Sequence, residues 1–516
     1  MSALPDYPAT LWGLLARRAD ETPDDVVLCD TEGRSLRAAE WRQWAERAAA
    51  YLYGRGVSEG VAVSWQLPTV IESAIVLMAL ARLGAVQNPL IPLLRGREVS
   101  FITAQTGARL LITPSVWRNF DYESMAREVA AQVGCDLLTV DRGRLPTDDP
   151  SILPPVPSGD GNPVRFVYYS SGTTAEPKGG RHTDASAMAS ANGVIVSMAV
   201  RADDCIAVPF PYAHIGGMSF TTAALFTGCR LLFVEIFDAV NSPLAMAEHG
   251  PTLLGMALPF FHAYLDAQRR HGPQPLFPRV RAFTSGGAPK PPEIHYQLKE
   301  TFGVGTLSGW GLTEFPIATS SRVDDTDEEK AETEGSAAPG VDLRVVDADG
   351  RLLGPGEEGE LRLKGQQMIA GYVDARLDAD AFDEHGYFRT GDLGVLGPRG
   401  HVRITGRLKD IVIRNAENIS TQEIENVLYA HPKIADIAVI GVPDVRTGER
   451  ACAVVVLAEG VPSLSLAEII EFCRSEHLAT QKIPEQVHVV DALPRNSMGK
   501  IQKRELRASV LAAHAP

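Results

Sequence analysis

The stretch between residues 61 and 87 constrains the fold most, because strand and helix patterns alternate there at short spacing. Val61–Leu67 has the apolar, β-branched character of a strand, and Val70–Leu83 is an apolar segment of helical length. A second strand pattern follows at once, near Ala85–Gln87. Two strands joined through a helix run parallel in one sheet. A helix that is apolar almost all round is buried, so this stretch predicts an α/β body built in layers.

Similar alternation recurs along the first 400 residues, with strand patterns at 109–112, 136–140 and 230–234. Glycine and proline then become dense over 354–365 and 386–407, which predicts short strands joined by turns. The acidic stretch 324–334 is predicted to be a solvated loop.

The chain changes character after Arg407. Ser420 and Glu423 have the spacing of a capping box before a helix. Beyond them we predict strands at 436–440, 451–457 and 486–490 and a helix at 466–478. The last 110 residues or so are therefore expected to form an α+β unit with its own core. We place the domain boundary between 407 and 408.

The composition excludes several classes of function. The formal net charge is −15, which disfavours sequence-independent binding to nucleic acid or to an anionic membrane. None of the six cysteines has the spacing of a metal site or a Cys-x-x-Cys pair. The apolar stretch Ala74–Leu83 is too short to span a bilayer, and the N-terminus lacks a signal-peptide pattern. These features predict a cytoplasmic protein with reduced thiols and no membrane span.

The loop YYSSGTTAEPKGG, residues 168–180, is a candidate phosphate-binding loop. It follows a strand pattern at Val164–Tyr169 and offers hydroxyl groups, a glycine and a lysine. Backbone N–H and side-chain O–H groups in such a loop can surround phosphate oxygens. The loop lacks the spacing of a Walker motif. The candidate nucleotide-binding residues are Ser170, Ser171, Gly172, Thr173, Thr174 and Lys178.

Five further motifs follow in a fixed order. They are SGGAP at 285–289, GWGLTE at 309–314, YFRTGD at 387–392, GRLKD at 406–410 and PRNSMGK at 494–500. Together with the loop they resemble the signature of the AMP-forming adenylate synthetases, which include acyl-CoA synthetases, adenylation domains and luciferases. The chain is most similar to an acyl-CoA synthetase. Ala175 in place of glycine and Trp310 in place of tyrosine are departures from that pattern.

The resemblance implies a fold in two parts. Residues 1–407 would form a large N-terminal domain that binds ATP and the acid, with two layered α/β subdomains and a small β-barrel-like subdomain. Residues 408–516 would form a small mobile α+β domain that carries the adenylation lysine. Lys409 would be the hinge residue between the two.

The resemblance also assigns roles to single residues. Lys500 would catalyse adenylation, Thr313 would bind the α-phosphate, and Glu314 with Thr173 would hold Mg²⁺. Asp392 would bind the ribose hydroxyls. The remaining nucleotide contacts that the resemblance implies are Gly287, Ala288, Pro289, Trp310, Gly311 and Arg407.

The acid is predicted to be hydrophobic. The region 210–217 lacks the aspartate that binds the amine in amino-acid-activating members, and His214 resembles a residue beside the reacting carboxylate. Glycines would leave the pocket open and methionines would give it apolar walls. The predicted acyl pocket comprises His214, Gly216, Gly217, Met218, Met256, Gly286 and Gly309. A similarity to ligases for alicyclic, steroidal or terpenoid acids extends this prediction to bulky substrates.

The resulting hypothesis is ATP-dependent formation of an acyl-adenylate with release of pyrophosphate, then thioester formation with coenzyme A. One alternative is adenylation alone, with the acyl group passed to a carrier protein or partner ligase. Asn415–Ala416 bears on this alternative, because many acyl-CoA synthetases have Gly-Gly there. A second alternative is a non-catalytic protein that binds a nucleotide or an acyl group. The oligomeric state is left open, with a homodimer as one option.

Overall fold

The computed structural model describes residues 7–157, 159–170, 176–287, 290–414, 417–444, 446–495 and 500–512. Most of these residues belong to α/β layers, as the alternation of strand and helix patterns predicts. Within the described residues, no helix is both long enough and apolar enough to cross a membrane.

The strands of the described residues, in chain order, are β1 (Val26–Asp30), β2 (Ser35–Arg37), β3 (Ala62–Trp65), β4 (Val86–Pro89), β5 (Leu110–Thr113), β6 (Val116–Trp117), β7 (Phe120–Asp121), β8 (Asp136–Thr139), β9 (Val164–Ser170), β10 (Lys178–Thr183), β11 (Cys205–Val208), β12 (Arg230–Phe233), β13 (Leu253–Met256), β14 (Ala282–Ser285), β15 (Thr306–Trp310), β16 (Thr319–Ser320), β17 (Ser336–Ala337), β18 (Asp342–Val346), β19 (Glu358–Lys364), β20 (Phe388–Leu396), β21 (Val402–Arg407), β22 (Val412–Arg414), β23 (Glu417–Ile419), β24 (Ile434–Asp444), β25 (Gly448–Leu457) and β26 (Gln486–Val489).

The α-helices of the described residues are α1 (Leu11–Glu21), α2 (Ala38–Gly54), α3 (Ile71–Leu83), α4 (Gly96–Thr106), α5 (Tyr122–Val133), α6 (Asp184–Met198), α7 (Ile215–Thr227), α8 (Ser242–Ala247), α9 (Leu258–His271), α10 (Pro292–Phe302), α11 (Asp327–Glu332), α12 (Asp378–Ala381), α13 (Thr421–Tyr429), α14 (Leu466–Ser475) and α15 (Lys503–Ala512).

Two large, mostly parallel sheets form the body of the chain. One has nine strands in the order β17-β16-β15-β14-β13-β11-β12-β1-β2, and the other has six in the order β10-β9-β4-β3-β5-β8. The predicted unit at 61–87 is the parallel pair β3 and β4 joined by α3. The carboxyl ends of β9, β14 and β15 carry three of the predicted motifs. Ligands bind at this end of α/β sheets.

The main apolar core lies in a layer of helices between these two sheets. It combines buried side chains of β3, such as Trp65, with side chains of β11, such as Ile206, and with residues of α1, α2, α3, α6 and α7. The strand Cys205–Val208 is buried at all four positions, as expected for a parallel strand covered on both faces. The helix α3 is buried on almost every side, which explains its lack of a polar face.

Two smaller sheets follow. The first is antiparallel, in the order β18-β19-β20-β21, and forms the small β subdomain. The second has five strands, in which β24 pairs with β25 and β26 runs parallel to β25. This second sheet and its helices enclose a separate core that includes Ile424, Val439 and Ile469. The predicted boundary after Arg407 falls in the connection between the two sheets.

Two local predictions were wrong in part. The acidic stretch 324–334 is not a loop throughout, because Asp327–Glu332 forms α11 with Thr326 and Glu329 as its capping box. Nε2 of the buried His401 lies 3.1 Å from Oδ1 of Asp325, so the acidic segment has a partner on the neighbouring subdomain.

The second prediction concerns the start of α13, where Ser420 does act as the N-cap. The capping box predicted around Ser420 does not close, however. The carboxylate of Glu423 instead accepts hydrogen bonds from Lys482 Nζ. A lysine brought close by the tertiary fold therefore replaces the local partner.

Candidate active site

A cavity of about 2330 Å³ lies where the sheets and the C-terminal body meet. Its walls combine the ends of β9, β14 and β15, the start of α7 and residues of the small antiparallel sheet. The C-terminal body contributes further residues, among them Lys500. The cavity therefore brings together residues that lie more than 300 positions apart in the sequence.

The candidate phosphate loop joins β9 to β10 at the edge of this cavity. The two strands pair antiparallel, with Ser170 opposite Lys178, and both residues line the cavity. Nζ of Lys178 lies 6.0 Å from the ring centre of Tyr372. Ser171, Gly172, Thr173 and Thr174 lie outside the described residues, so the roles assigned to them stay predictions.

The carboxylate of Glu314 is held by two hydroxyl groups. Ser170 Oγ and Tyr372 Oη each donate to Oε1 of Glu314 at 2.9 Å. Glu314 is 8% exposed and lines the cavity. Among the described residues these are the hydrogen bonds of this carboxylate, so Oε2 is left for a ligand. The sequence did not indicate Tyr372, because its local pattern, a tyrosine after Gly371, is that of an ordinary loop.

A carboxylate oxygen facing a cavity suits a hard divalent cation such as Mg²⁺. Glu314 lines the cavity, and both of its hydrogen bonds from described residues are to Oε1. The second predicted ligand, Thr173, is outside the described residues. The described half of the proposed site therefore fits the ion.

Thr313 is positioned by a histidine that the motif does not contain. Nε2 of His182 donates to the carbonyl oxygen of Thr313 at 2.8 Å. Burial lowers the pKa of His182 to about 4, so the ring is neutral at physiological pH. Because a carbonyl oxygen can only accept, the ring proton lies on Nε2. The β10 strand therefore fixes the backbone of the GWGLTE motif.

Asp392 lies between an indole and a guanidinium group. Trp310 Nε1 donates to its Oδ2 at 2.9 Å, and Nε of Arg407 lies 2.7 Å from Oδ1. Asp392 is 2% exposed, and all three residues line the cavity. Each carboxylate oxygen can accept a second hydrogen bond. The tryptophan therefore does more than replace the ring of the usual tyrosine, because its N–H orients this aspartate.

Lys500 enters the cavity from the C-terminal body and lies close to this group. Burial lowers the pKa of Lys500 to about 8, with a further lowering by the charge of Arg407 and an opposing effect of Asp392. Burial and the charge of Arg407 also lower the pKa of Lys409, and Lys178 contributes to that effect. Cations from three parts of the chain thus act on one region of a protein whose net charge is −15. Such a local concentration of positive charge suits a polyphosphate.

His214 lies at the N-terminus of α7. Its Nδ1 accepts a hydrogen bond from the backbone N–H of Gly216 at 3.2 Å. Burial lowers the pKa of His214 to about 4, so the ring is neutral and its proton lies on Nε2. His214 lines the cavity. It can therefore offer one N–H donor there, without a positive charge.

One arm of the cavity is mainly apolar and runs along α6 and α7. Of the residues predicted for the acyl pocket, Gly216, Met256, Gly286 and Gly309 line the cavity, and their role in binding the acid stays a prediction. The further apolar lining residues on this side are Val194, Met198, Ile215, Phe220 and Ile317.

Gly217 and Met218 do not line the cavity. Met218 is fully buried in the main core, and a Cβ at Gly217 would lie 2.0 Å from the carbonyl oxygen of Tyr212. The helical period explains this correction, because residues 216, 219 and 220 share one face of α7 and residues 217 and 218 face elsewhere. The glycine at 217 is needed for close packing of α7 on its preceding loop.

The remaining nucleotide candidates fall into two groups. Gly287 and Gly311 line the cavity, and a Cβ at Gly311 would lie 2.0 Å from the carbonyl oxygen of Pro316. Only glycine therefore fits at 311 without a shift of the backbone. Ala288 and Pro289 lie outside the described residues, as do Asn415 and Ala416.

Comparisons with known proteins agree with this geometry. The model of the AMP-binding enzyme family matches residues 15–373, and that of the AMP-binding enzyme C-terminal domain matches residues 423–500. The chain is 30% identical to a medium-chain fatty-acid–CoA ligase of Escherichia coli, over 99% of this chain and 91% of that protein. It is 32% identical to a salicyl-AMP ligase / salicyl-S-ArCP synthetase of Mycobacterium tuberculosis, over 96% and 90% of the two chains.

Solved structures give the same result for the fold. The crystal structure of ATP-bound MatB from Rhodopseudomonas palustris aligns with a TM-score of 0.90 at 27% identity, over 98% of this chain and 100% of that one. The apo crystal structure of MatB covers the same shares with a TM-score of 0.77 at 28% identity. The arrangement of this chain is therefore closer to that of the ATP-bound protein.

Proposed function

Because the chain belongs to the AMP-binding enzyme family, we propose that it converts a hydrophobic carboxylic acid into an acyl-adenylate and then into a coenzyme A thioester. It is an AMP-forming acid–thiol ligase that uses ATP, Mg²⁺ and coenzyme A. The identity of the acid, the choice of coenzyme A as the acceptor in this chain and the residues that act on the acid are the proposed part.

One observation supports the proposal above all others. Lys500, from the C-terminal body, lies in the same cavity as Glu314, Asp392 and Arg407, from the N-terminal body. A cation, a carboxylate suited to a metal and a buried aspartate for the ribose are the groups that a nucleotide-dependent activation needs in one place. A protein that only bound an acyl group would have no use for this combination.

In the first step, a carboxylate oxygen of the acid would attack the α-phosphorus of ATP. A bond forms between that oxygen and phosphorus, and the bond from the α-phosphorus to the bridging oxygen breaks, so that pyrophosphate leaves. Negative charge builds on the phosphoryl oxygens in the transition state. Lys500 would stabilise that charge, and Lys178 would stabilise the charge of the departing pyrophosphate.

The other groups would orient the reactants. Asp392, fixed by Trp310 and Arg407, would accept hydrogen bonds from the ribose hydroxyls. The Nε2–H of His214 would donate to the acid as it approaches. Mg²⁺, held in part by Glu314, would neutralise phosphate charge. When the reactants are held in a fixed geometry, the entropy lost in bringing them together no longer adds to the barrier of the reaction.

In the second step, the thiolate sulfur of coenzyme A would attack the acyl carbon and AMP would leave. We place the domain boundary at 407/408 and the hinge at Lys409, which lines the cavity within the connection between β21 and β22. Rotation about that hinge would withdraw Lys500 and present another face of the C-terminal domain. Hinge closure of this kind is an established mode of domain movement.

The class of acid is argued from the apolar arm. Its walls include Val194, Phe220, Met256 and Ile317, and the hydroxyl group of Ser219 there is already bonded, since its Oγ lies 2.8 Å from that of Ser190. An acid that offered a polar tail would lose hydration there without new hydrogen bonds. A hydrophobic acid therefore fits best.

The name of one relative supports a carrier protein, in place of coenzyme A, as the acceptor of the acyl group. The M. tuberculosis protein that is 32% identical is named a salicyl-S-ArCP synthetase, a name that joins adenylation to loading of a carrier. The same adenylate chemistry with a carrier protein as acceptor is therefore the alternative for this chain. The first half-reaction would be identical in both cases.

A panel of acids with ATP and Mg²⁺ tests the proposal, with and without coenzyme A. We expect acid-dependent pyrophosphate release with medium-length or bulky apolar acids, and AMP together with an acyl thioester when coenzyme A is added. Short, charged acids serve as the control and should react at least about tenfold more slowly, because they lose the apolar contacts. Adenylate without thioester would favour the carrier alternative, and no pyrophosphate with any acid would refute the activation reaction.

The pKa of Lys500 predicts the pH dependence of the first step. The protonated amine stabilises charge, so activity is full below a pKa of about 8 and is lost as the pH rises through it. We expect kcat/KM for ATP to fall about tenfold per pH unit on the alkaline side, because kcat/KM reports the free enzyme. Stopped pyrophosphate assays between pH 6 and 10 measure this. The rate of the thioester step should instead rise with pH, since the thiol of coenzyme A must lose its proton. If the rates of both steps fell as the pH rises, the role of Lys500 in the first step would be contradicted.

A further inference from the structure

The segment that carries Lys500 is closed at its base by backbone contacts. Arg495 and Ile501 form an antiparallel bridge, and the N–H of Gln502 donates to the carbonyl oxygen of Pro494 at 2.8 Å. The chain therefore leaves and returns at one point, and Lys500 lies one residue before the closure. Contacts that hold this closure on the rest of the C-terminal body therefore also hold the backbone of Lys500 in place.

A largely buried ion pair attaches this closure to the C-terminal core. Nζ of Lys503, the first residue of α15, lies 2.6 Å from Oε1 of Glu425 and donates to Thr421 Oγ1 at 2.7 Å. Glu425 is 8% exposed. The same Oε1 accepts a hydrogen bond from the N–H of Val439 at 2.6 Å. Lys503 is thereby fixed to both α13 and β24, the centre of the C-terminal core.

The location of this pair is unusual for a purely structural contact. Glu425, Thr421 and Lys503 all line the active-site cavity, which Lys500 also lines. Burial raises the pKa of Glu425, and the charge of Lys503 opposes that effect. A buried ion pair adds little net stability compared with apolar side chains, whereas it fixes geometry. Lys503 lies three residues from Lys500, so a fixed Lys503 can help to position the Lys500 side chain.

A second ion pair on the same helix provides a natural comparison. Arg507, one turn further along α15, pairs with Glu449 at 2.8 Å, and their side chains are 43% and 22% exposed. This pair also attaches α15 to the five-stranded sheet. It is of the same chemical type and is more exposed, and Arg507 also lines the cavity but lies further from Lys500 in sequence.

We propose that Glu425 is a positioning residue for adenylation, which acts through Lys503 to hold Lys500 in the cavity. The inference rests on the proposed function, because it assigns Glu425 to the half-reaction that uses Lys500. The charge of Glu425 fixes Lys503, Lys503 fixes the start of α15, and the start of α15 fixes the last residues of the Lys500 segment. The thioester step, for which Lys500 withdraws, needs none of these contacts.

The test compares Glu425→Gln with Glu449→Gln in the full chain. Glutamine keeps an oxygen for the N–H of Val439 and removes the charge. For Glu425→Gln we expect kcat for pyrophosphate release to fall about 10- to 100-fold, with KM for ATP within about threefold of the wild type. Thioester formation from supplied acyl-adenylate should stay within about threefold, and Glu449→Gln should change neither step by more than that.

A double-mutant cycle with Lys500→Ala separates positioning from general damage. If Glu425 acts only through Lys500, the double variant loses no more adenylation activity than Lys500→Ala alone. Additive losses, or equal losses in both half-reactions, would overturn the proposal. The conservative variant Lys503→Arg should retain most of the activity, because it keeps the charge that pairs with Glu425.

A measurement without substrates distinguishes failure of this inference from failure of the proposed function. Lysine acetylation by dilute acetic anhydride, followed across pH by mass spectrometry, reports the pKa of Lys500, which lies near 8 in the wild type. We expect it to move toward the ordinary lysine value in Glu425→Gln and to stay unchanged in Glu449→Gln. An unchanged value in both variants would overturn the positioning role, even if no acid in the panel is activated.

Discussion

Replacement of Lys500 by alanine is expected to lower acid-dependent pyrophosphate release by at least about 10²- to 10³-fold, or several kcal/mol, the loss associated with one charge-stabilising donor at a developing anion. The physical reason is the location of its amine, which lies in the cavity among Arg407, Asp392 and Lys409. No other lysine of the C-terminal body that the structure describes can take its place from the same segment, since Lys503 is bound to Glu425. The measurement is a pyrophosphate assay at saturating ATP and acid.

The same variant should leave the second step almost intact. Thioester formation from supplied acyl-adenylate and coenzyme A is expected within about threefold of the wild type, because only the first transition state uses this amine. Lys433→Ala is the matched control, since Lys433 lies in the same body and pairs with Glu468 away from the cavity. An equal loss in both steps would show a general effect on the domain, and full adenylation activity would exclude Lys500 as the catalytic lysine.

Much of the fold could be predicted because its signals are local. The strand predicted at 109–112, seen as Leu110–Thr113 with all four residues buried, and the apolar helix Ile71–Leu83 follow from composition within a short window. The site motifs could be predicted for a similar reason, since glycines and hydroxyl residues at fixed spacing are local patterns. Gly311 shows the physical basis of one of them, because a Cβ there would strike the backbone of Pro316.

The hydrogen bonds that hold those motifs in place could not be predicted, because their partners come from distant parts of the chain. His182 reaches the carbonyl of Thr313 across 131 positions, and Trp310 reaches Asp392 across 82. Neither contact has a sequence signal, because each depends on how two sheets pack. Met218 was assigned to the pocket for a related reason, since the sequence placed it near His214 but not on a particular face of α7.

The acidic segment 324–334 shows that a local charge pattern can be misleading. Its charge density predicts a solvated loop, yet Thr326 and Glu329 cap a short helix whose Ala331 is buried. The carbonyl oxygen of Ala331 accepts a hydrogen bond from Nζ of Lys290 at 2.6 Å, and Lys290 is 8% exposed. A buried lysine with few other partners requires such an acceptor. The tertiary fold, and not the charge pattern, thus decides the structure of this segment.

The substitution Glu314→Gln should have the second largest effect, a loss of about 10²-fold or more in kcat/KM for ATP. Glutamine has nearly the same shape and can still accept from Ser170 and Tyr372 through its carbonyl oxygen. It removes the negative charge that a divalent cation requires. We therefore expect the Mg²⁺ concentration for half-maximal pyrophosphate release to rise at least about tenfold, measured by titration at fixed free ATP.

Tyr372→Phe separates the charge of Glu314 from its orientation. The variant removes one of the two hydrogen bonds to Oε1 and leaves the carboxylate and the aromatic ring in place. A hydrogen bond to a charged carboxylate contributes about 1.5 kcal/mol or more, so we expect a loss of at least about tenfold with little change in the Mg²⁺ requirement. If Tyr372→Phe and Glu314→Gln shifted the Mg²⁺ requirement equally, the carboxylate would act by holding the loop after β9 and not by binding the ion. A larger shift in Glu314→Gln alone assigns the ion to the carboxylate of Glu314, whose Oε2 accepts from neither Ser170 nor Tyr372.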